Sequence, residues 1–190
     1  MKMLKKLLAI VLTGAMALTL LTACGGNAVN DKNIADALND IVKSSVAAGL
    51  TKDYTFKPRT AEQEMARKLA ALFKSRMETA TVADEGDDLD EAMNNILGCK
   101  KGGANENNFV WLLTADTDGL GVSEQVNQFR DYVFSTEYAM NGTKLTGQKK
   151  TPANIRYMGT ALCKIVDEDG KTVTERIAVV TAEPVDEPAD

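Results

Sequence analysis

The chain has 190 residues and a net charge of −5 at neutral pH, from 22 basic and 27 acidic side chains. An acidic chain without a concentrated basic face argues against nucleic acid as a partner. It contains no histidine, which excludes the commonest general base and every Ser-His or Cys-His catalytic arrangement. It also lacks a Ser-x-x-Lys pattern, zinc-ligand spacing and a dinucleotide fingerprint. We therefore expect no cofactor and no metal, and favour binding over catalysis.

The first residues have the pattern of a secretory signal. Lysines at positions 2, 5 and 6 precede an apolar run from Leu7 to Leu21. A membrane-spanning helix needs about 20 apolar residues and is usually followed by aromatic or basic residues, which are absent after this run. A cationic start, a short apolar core and small residues before a cut site instead predict a signal that is removed.

The end of this run, Leu21-Thr22-Ala23-Cys24, resembles the lipobox of bacterial lipoproteins, in which an aliphatic residue and two small residues precede a cysteine. The resemblance covers only the first 24 residues. It implies that Cys24 takes a diacylglyceryl group, that the chain is cut before it, and that the protein is anchored in the cell membrane on the extracytoplasmic face. Two or more acyl chains give lasting attachment, since one chain binds only marginally. The alternative is an ordinary signal peptide followed by a chance cysteine.

Composition divides the chain into four parts. We predict a cleaved signal peptide over residues 1–23, a lipidated tether over 24–32, a single domain over 33–182 and an acidic disordered tail over 183–190. A chain of this length forms one domain and buries a sufficient core without a disulfide.

Four amphipathic helices are predicted from apolar residues at helical spacing. The first begins at Asn30 or Asp31, the second at Thr60, and the fourth is capped by Ser123, while the third ends at Gly98. The apolar stripes consist of Ile34, Ala37, Leu38, Ile41, Val42 and Val46; Ala61, Met65, Leu69, Leu72, Phe73 and Met77; Leu89, Ala92, Met93, Ile96 and Leu97; and Val122, Val126, Phe129 and Val133.

Strands are predicted in the second half of the chain. The apolar run Phe109-Val110-Trp111-Leu112-Leu113 favours a buried strand, although periodicity does not distinguish it from a buried helix. Residues 155–166 and 172–181 alternate as two strands, with Asp169-Gly170 suited to a tight hairpin. Both faces carry apolar residues, and we expect helices to cover one of them. The predicted fold class is α+β, with three to four helices packed on a small antiparallel sheet that ends in this hairpin.

Two cysteines remain after lipidation. Cys99 and Cys163 could form a disulfide outside the cytoplasm, where pairing is favoured. The alternative is that Cys163 is a small buried apolar residue of a strand and Cys99 a loop thiol.

Two acidic segments invite a calcium interpretation, which their spacing does not support. Residues 84–90 lack the alternating ligands and the terminal glutamate of an EF-hand loop, and residues 116–119 fail at the first and last ligand positions. We interpret them as the start of a helix and a plain turn.

Three functions remain open. The first is a non-catalytic binding or accessory module for a partner in the cell envelope, either another protein or a cell-wall component. The second is a small-solute-binding lipoprotein whose pocket is lined by Trp111, Phe129 and Tyr157. The third is a small hydrolase that uses a pair of carboxylates.

Overall fold

The computed structural model describes residues 26–79, 87–133, 150–166 and 171–186. The signal peptide and the lipobox lie outside these ranges. The described elements are, in chain order, α1 (Gly26–Ala47), β1 (Thr55–Pro58), α2 (Thr60–Thr79), α3 (Asp87–Leu97), β2 (Phe109–Asp116), α4 (Val122–Val133), β3 (Lys150–Pro152), β4 (Ile155–Val166), β5 (Thr172–Ala182) and β6 (Pro184–Asp186). The predicted α+β class is confirmed. Among the described helices, none has the length and apolar character needed to cross a membrane.

The main sheet has four strands in the order β1-β4-β5-β2. The predicted hairpin is its centre, since β4 and β5 pair antiparallel from Tyr157 opposite Thr181 to Val166 opposite Thr172. The run at 109–113 is part of β2, which pairs antiparallel with β5. The sheet is mixed rather than purely antiparallel, because β1 pairs parallel with β4. A parallel pair needs a long crossover, and the whole segment from α2 to β3 separates these two strands.

One face of the sheet is covered by α1 and α4. The buried core on this side combines α1 residues such as Leu38 with Phe129 of α4 and with Trp111, Met158 and Val180 of the strands. Alternate residues of a strand point to opposite faces, so Trp111 and Leu113 belong to this core while their neighbours do not.

The opposite face is covered by α2 and α3. Here Leu69 and Phe73 of α2 and Met93 of α3 pack against Val110 and Val179. Helices therefore cover both faces, whereas one covered face was expected. The reason is visible in β2, whose residues on both faces are apolar and must be buried on both sides.

The first helix begins at Gly26, before the predicted caps at Asn30 and Asp31 and within the segment predicted as a tether. Asp31 consequently lies in the second turn, where its side chain is buried rather than capping a free helix end. The predicted start of α2 and the predicted end of α3 agree with the structure, and Gly98 has a positive φ of 69°. Only glycine adopts such an angle without strain, which stops the helix there.

The segment predicted as a disordered tail contributes β6. It pairs with β3 in a separate two-stranded sheet, and Ala153 N donates a hydrogen bond to Glu183 O at 2.8 Å. Proline and acidic residues disfavour strands, so local composition did not indicate this pairing.

Helix α2 lies very close to the sheet at Gly159 in β4. A Cβ atom added to Gly159 would lie 2.0 Å from the backbone nitrogen of Gln63 and 2.5 Å from the carbonyl carbon of Glu62. Only a residue without a side chain permits this approach. It brings the first turn of α2 beside the residues described next.

Candidate functional site

A groove open to solvent lies between α1 and α4, with a volume of about 500 Å³. The α1 wall consists of Ala37, Asp40, Ile41, Ser44 and Ser45, with Leu50 just beyond the helix, and the α4 wall consists of Ser123, Val126, Asn127 and Arg130. Four positions of each wall have the spacing i, i+3, i+4 and i+7. Residues at this spacing share one face of a helix, so the groove is bounded by two matching helical stripes.

The groove has an apolar floor and exposed apolar residues beside it. Val126 is fully buried and Ile41 is half-buried against the core below. Leu50 is 80% exposed at the rim, and Val122, the residue before the α4 wall, is 37% exposed. Leu50 thus adds exposed apolar area to the rim of the groove, which a partner could cover.

The two walls carry opposite charges. Asp40 on α1 has a side chain that is 78% exposed, and its Oδ1 lies 3.5 Å from Lys43 Nζ. Arg130 on α4 is also exposed. The Asp40–Lys43 contact is long and solvated, and such pairs contribute little to stability. Asp40 thus remains accessible to an incoming cation.

A buried group of polar side chains joins three helices to the sheet. Asp31 of α1 is 2% exposed. Its Oδ1 accepts hydrogen bonds from Thr160 N at 3.0 Å and from the Thr160 hydroxyl, and its Oδ2 accepts one from Gln63 Nε2 at 2.8 Å. Arg176 of β5 donates from Nη1 to Thr160 Oγ1 at 3.0 Å and from Nε to Gln125 Oε1 at 2.9 Å. The cluster therefore connects α1, α2 and α4 through β4 and β5.

Burial opposes both charges of this cluster. It raises the pKa of Asp31, although the hydrogen bonds from Thr160 and Gln63 and the charge of Arg176 act in the other direction. It also lowers the pKa of Arg176, against the attraction of Asp31. Removing one member of such a pair leaves a buried charge without compensation, so the cluster fixes α1 on the sheet.

A second cluster lies at the start of α2. Glu62 is fully buried and accepts hydrogen bonds from Arg59 Nε at 2.7 Å, from Arg59 Nη2 and from Thr181 Oγ1 at 2.6 Å. The bond to Glu62 raises the pKa of Arg59. The Arg59 guanidinium also lies 3.9 Å from the centre of the Tyr157 ring. A cavity of about 120 Å³ lies beside both clusters, lined by Asp31, Pro58, Arg59, Thr60 and Gln63.

The three predicted pocket residues do not meet. Trp111 and Phe129 are fully buried in the core under α1 and α4, where they fill space rather than line a cavity. Tyr157 precedes Met158 of that core, so its side chain points to the other face, where it contacts Arg59. The alternation of β4 separates Tyr157 from the other two, so these three side chains do not line one pocket.

The two remaining cysteines are separate thiols. Cys163 is buried in β4 with its Sγ 3.6 Å from the carbonyl oxygen of Ala70, and burial raises its pKa to about 12. Cys99 is half-buried after α3, with its Sγ 3.9 Å from the carbonyl oxygen of Leu97. The disulfide that Cys99 and Cys163 could form is not present, and each thiol is turned towards the backbone of a different helix.

Glu175 is a buried acid in the middle of the sheet. It is 8% exposed and stands in register with Asp116 of β2 on one side and Cys163 of β4 on the other. Burial, followed by the charge of Asp116, raises the pKa of Glu175 to about 7. Glu175 and Asp116 are thus an adjacent carboxylate pair, but neither lines the groove or the small cavity described above.

Sequence reasoning missed the buried ionic residues. The sequence pattern offers Asp31 only as one of two possible helix caps, and it gives no role to Glu62 or Arg176. One signal was available, since Glu175-Arg176 interrupts the otherwise apolar and threonine-rich run of β5. Charges at the centre of a buried hairpin strand need partners inside the protein.

The fold and the groove define a small α+β domain with helix pairs on both sides of a mixed sheet and an open interhelical surface. In the described ranges, no three or more Cys, Asp or Glu side chains are grouped so that they could hold a metal ion. No protein-family model matches the chain, and neither a curated protein nor a solved structure is significantly similar to it.

Proposed function

We propose that this protein is a lipid-anchored binding module on the extracytoplasmic face of a bacterial cell membrane. The observation that carries the proposal is the position of Cys24, the last residue of the lipobox-like Leu21-Thr22-Ala23-Cys24. Only Gly25 separates it in sequence from Gly26, where α1 begins. A lipid on Cys24 would therefore be joined almost directly to the first helix of the domain.

Helix α1 relates the anchor to the groove. Its 22 residues are about 33 Å long, and the groove positions start at Ala37, about 16 Å along the axis from Gly26. Between these points Asp31 attaches the helix to β4 through buried hydrogen bonds. The helix that begins just after the proposed lipid site thus also carries one wall of the groove, which favours an accessory or scaffolding role beside the membrane.

The groove is suited to binding rather than to chemistry. Its walls offer hydroxyl and amide groups, one acid and one base around an apolar floor, groups that can form hydrogen bonds and ion pairs with a partner. The buried acids Asp31 and Glu62 bond to other parts of the domain and so serve its structure. We therefore assign recognition of an envelope partner to the groove.

Intact-mass analysis of the full-length protein expressed in a bacterial host tests the anchor. We expect the membrane-extracted protein to begin at Cys24 and to carry the added mass of at least two acyl chains. The variant Cys24→Ala should lack this mass, and when it is given an ordinary cleavable signal peptide it should leave the membrane fraction.

The variant Cys99→Ala is the matched control, because it removes a thiol that the lipobox does not contain. It should keep both the acyl mass and the membrane association. Protein purified from its natural host that retains Met1, or that carries an unmodified thiol at Cys24, would contradict the proposed anchor.

A further inference from the structure

We propose that the groove between α1 and α4 is the docking surface for a second copy of this protein, so that it forms a two-fold symmetric dimer at the membrane. The inference rests on the proposed function and specifies its partner. It depends on three properties of the described surface: matched walls, opposite charges on those walls, and exposed apolar residues at the rim.

The walls match in spacing. Ala37, Asp40, Ile41 and Ser44 on α1 repeat at the same intervals as Ser123, Val126, Asn127 and Arg130 on α4. Helices pack by fitting the ridges of such stripes into the grooves of another helix. A second pair of helices with the same spacing is therefore a suitable occupant, and the same surface of another copy provides one.

The charges select the arrangement of the two copies. Asp40 belongs to the α1 wall and Arg130 to the α4 wall. A two-fold axis along the groove places α1 of each copy opposite α4 of the other. The wall that carries Asp40 in each copy then lies opposite the wall that carries Arg130 in the other copy, on both sides of the axis. A surface that is complementary to itself in this way is the requirement for a symmetric dimer.

Docking would also cover Leu50 at the rim of the groove and bring a second copy near Val122, which precedes the α4 wall. Leu50 is 80% exposed and Val122 is 37% exposed in the single copy. Removing their surfaces from water favours association, because burial of apolar area is its main driving force. Anchoring both copies in one membrane would raise their effective concentration and strengthen a contact of modest size.

Native mass spectrometry of the full-length, detergent-extracted protein tests the inference through charge reversal. Wild type should give a dimer. Asp40→Arg and Arg130→Asp should each weaken dimerisation by about tenfold or more, because each places two pairs of like charges across the axis. An equal mixture of the two variants should form a mixed dimer. In that dimer the walls of one variant are both basic and the walls of the other are both acidic, so opposite charges meet across the interface.

Charge reversals on α2 provide matched controls. Glu64→Arg and Lys68→Asp change exposed residues on the helix that covers the other face of the sheet. Both variants should dimerise as wild type does. Far-ultraviolet circular dichroism of all four variants would show that each remains folded.

Three outcomes would overturn the inference. The first is a wild-type protein that stays monomeric at ~100 μM, a concentration at which a dimer with a dissociation constant of about 1 μM would be largely formed. The second is a mixture of the two groove variants that remains monomeric. The third is a cross-linking result in cells. The variant Leu50→Cys, made in the Cys99→Ser background, would be cross-linked to a different envelope protein and not to a second copy. The same mass spectra report the acyl groups on Cys24, so a failed anchor and a failed dimer give different results.

Discussion

At the scale of single residues, Asp31 shows how the position of a helix start changes the meaning of a side chain. Read as the first residue of a helix, Asp31 is a cap, whose oxygen would accept bonds from its own helix. Because α1 begins at Gly26, the same carboxylate turns towards the sheet and accepts hydrogen bonds from Thr160 and Gln63. Its role is to connect layers of the structure.

Replacing Asp31 with alanine should destabilise the domain by about 3 kcal/mol, because Arg176 would remain buried without its counter-charge. Urea denaturation at neutral pH, followed by circular dichroism, measures this change. Asp36→Ala, on the same helix but exposed in its contact with Lys32 at 2.7 Å, should cost no more than about 0.5 kcal/mol. Equal losses for the two variants would contradict the role assigned to Asp31.

Glu175 should make stability dependent on pH. Its pKa is about 7 in the folded protein against the usual 4.5 of a glutamate, so the folded state binds the proton more tightly. The free energy of unfolding should therefore be highest below about pH 4.5 with respect to this group and fall as the pH rises towards 7.

The variant Glu175→Gln should lose this part of the pH dependence and exceed wild type in stability above pH 7 by about 2 kcal/mol, after allowance for solvent screening. Denaturant titrations on both sides of the transition measure the difference. Glu64→Gln, an exposed neutral replacement on α2, should follow wild type at every pH. If the stability of Glu175→Gln changed with pH in the same way as that of wild type, Glu175 would not be the cause of the pH dependence.

At the scale of elements, the contact between α2 and β4 depends on a missing side chain. Gly159→Ala would bring a Cβ atom against the backbone of Gln63 and Glu62, which a rotamer change does not relieve. We expect a loss of about 2 kcal/mol or more and a clearly lower midpoint of thermal unfolding.

Gly121→Ala is the control for this prediction, because the added Cβ would lie 3.3 Å from Oε2 of Glu124, the far end of a flexible side chain. Its unfolding midpoint should stay close to that of wild type. A midpoint for Gly159→Ala that equals the control would show that α2 can move away from β4 without cost.

Two side-chain amides occupy the outer edges of the main sheet. Asn39 of α1 donates from Nδ2 to Phe56 O at 3.1 Å and accepts from Phe56 N at 2.8 Å. These two hydrogen bonds satisfy the backbone of Phe56 on the outer edge of β1. Gln128 of α4 does the same for Asp116 on β2, at 3.2 Å and 3.0 Å. Each amide imitates a neighbouring strand at one residue, which discourages pairing with another protein at these edges.

At the scale of the whole molecule, the covering of both sheet faces decides which surfaces remain for binding. Trp111 and Phe129 are aromatic side chains of the kind that line ligand pockets. Helices α1 and α4 cover them, so they belong to the buried core instead. In the described part of the chain, the outer side of this helix pair carries the groove that we propose as the binding surface. Polar residues form most of its walls, so hydrophobicity alone did not point to it.

The sequence by itself determined what depends on near neighbours. Helical spacing located all four described helices, alternation located the β4–β5 hairpin, and the segment ending at Cys24 predicts the lipid anchor. Only the tertiary structure decided what joins distant positions: the parallel pairing of β1 with β4, the contact of Asp31 with Thr160, and the meeting of α1 with α4 that forms the groove. Local pattern states which face of an element is apolar, but the choice of partner for that face depends on the packing of the complete protein.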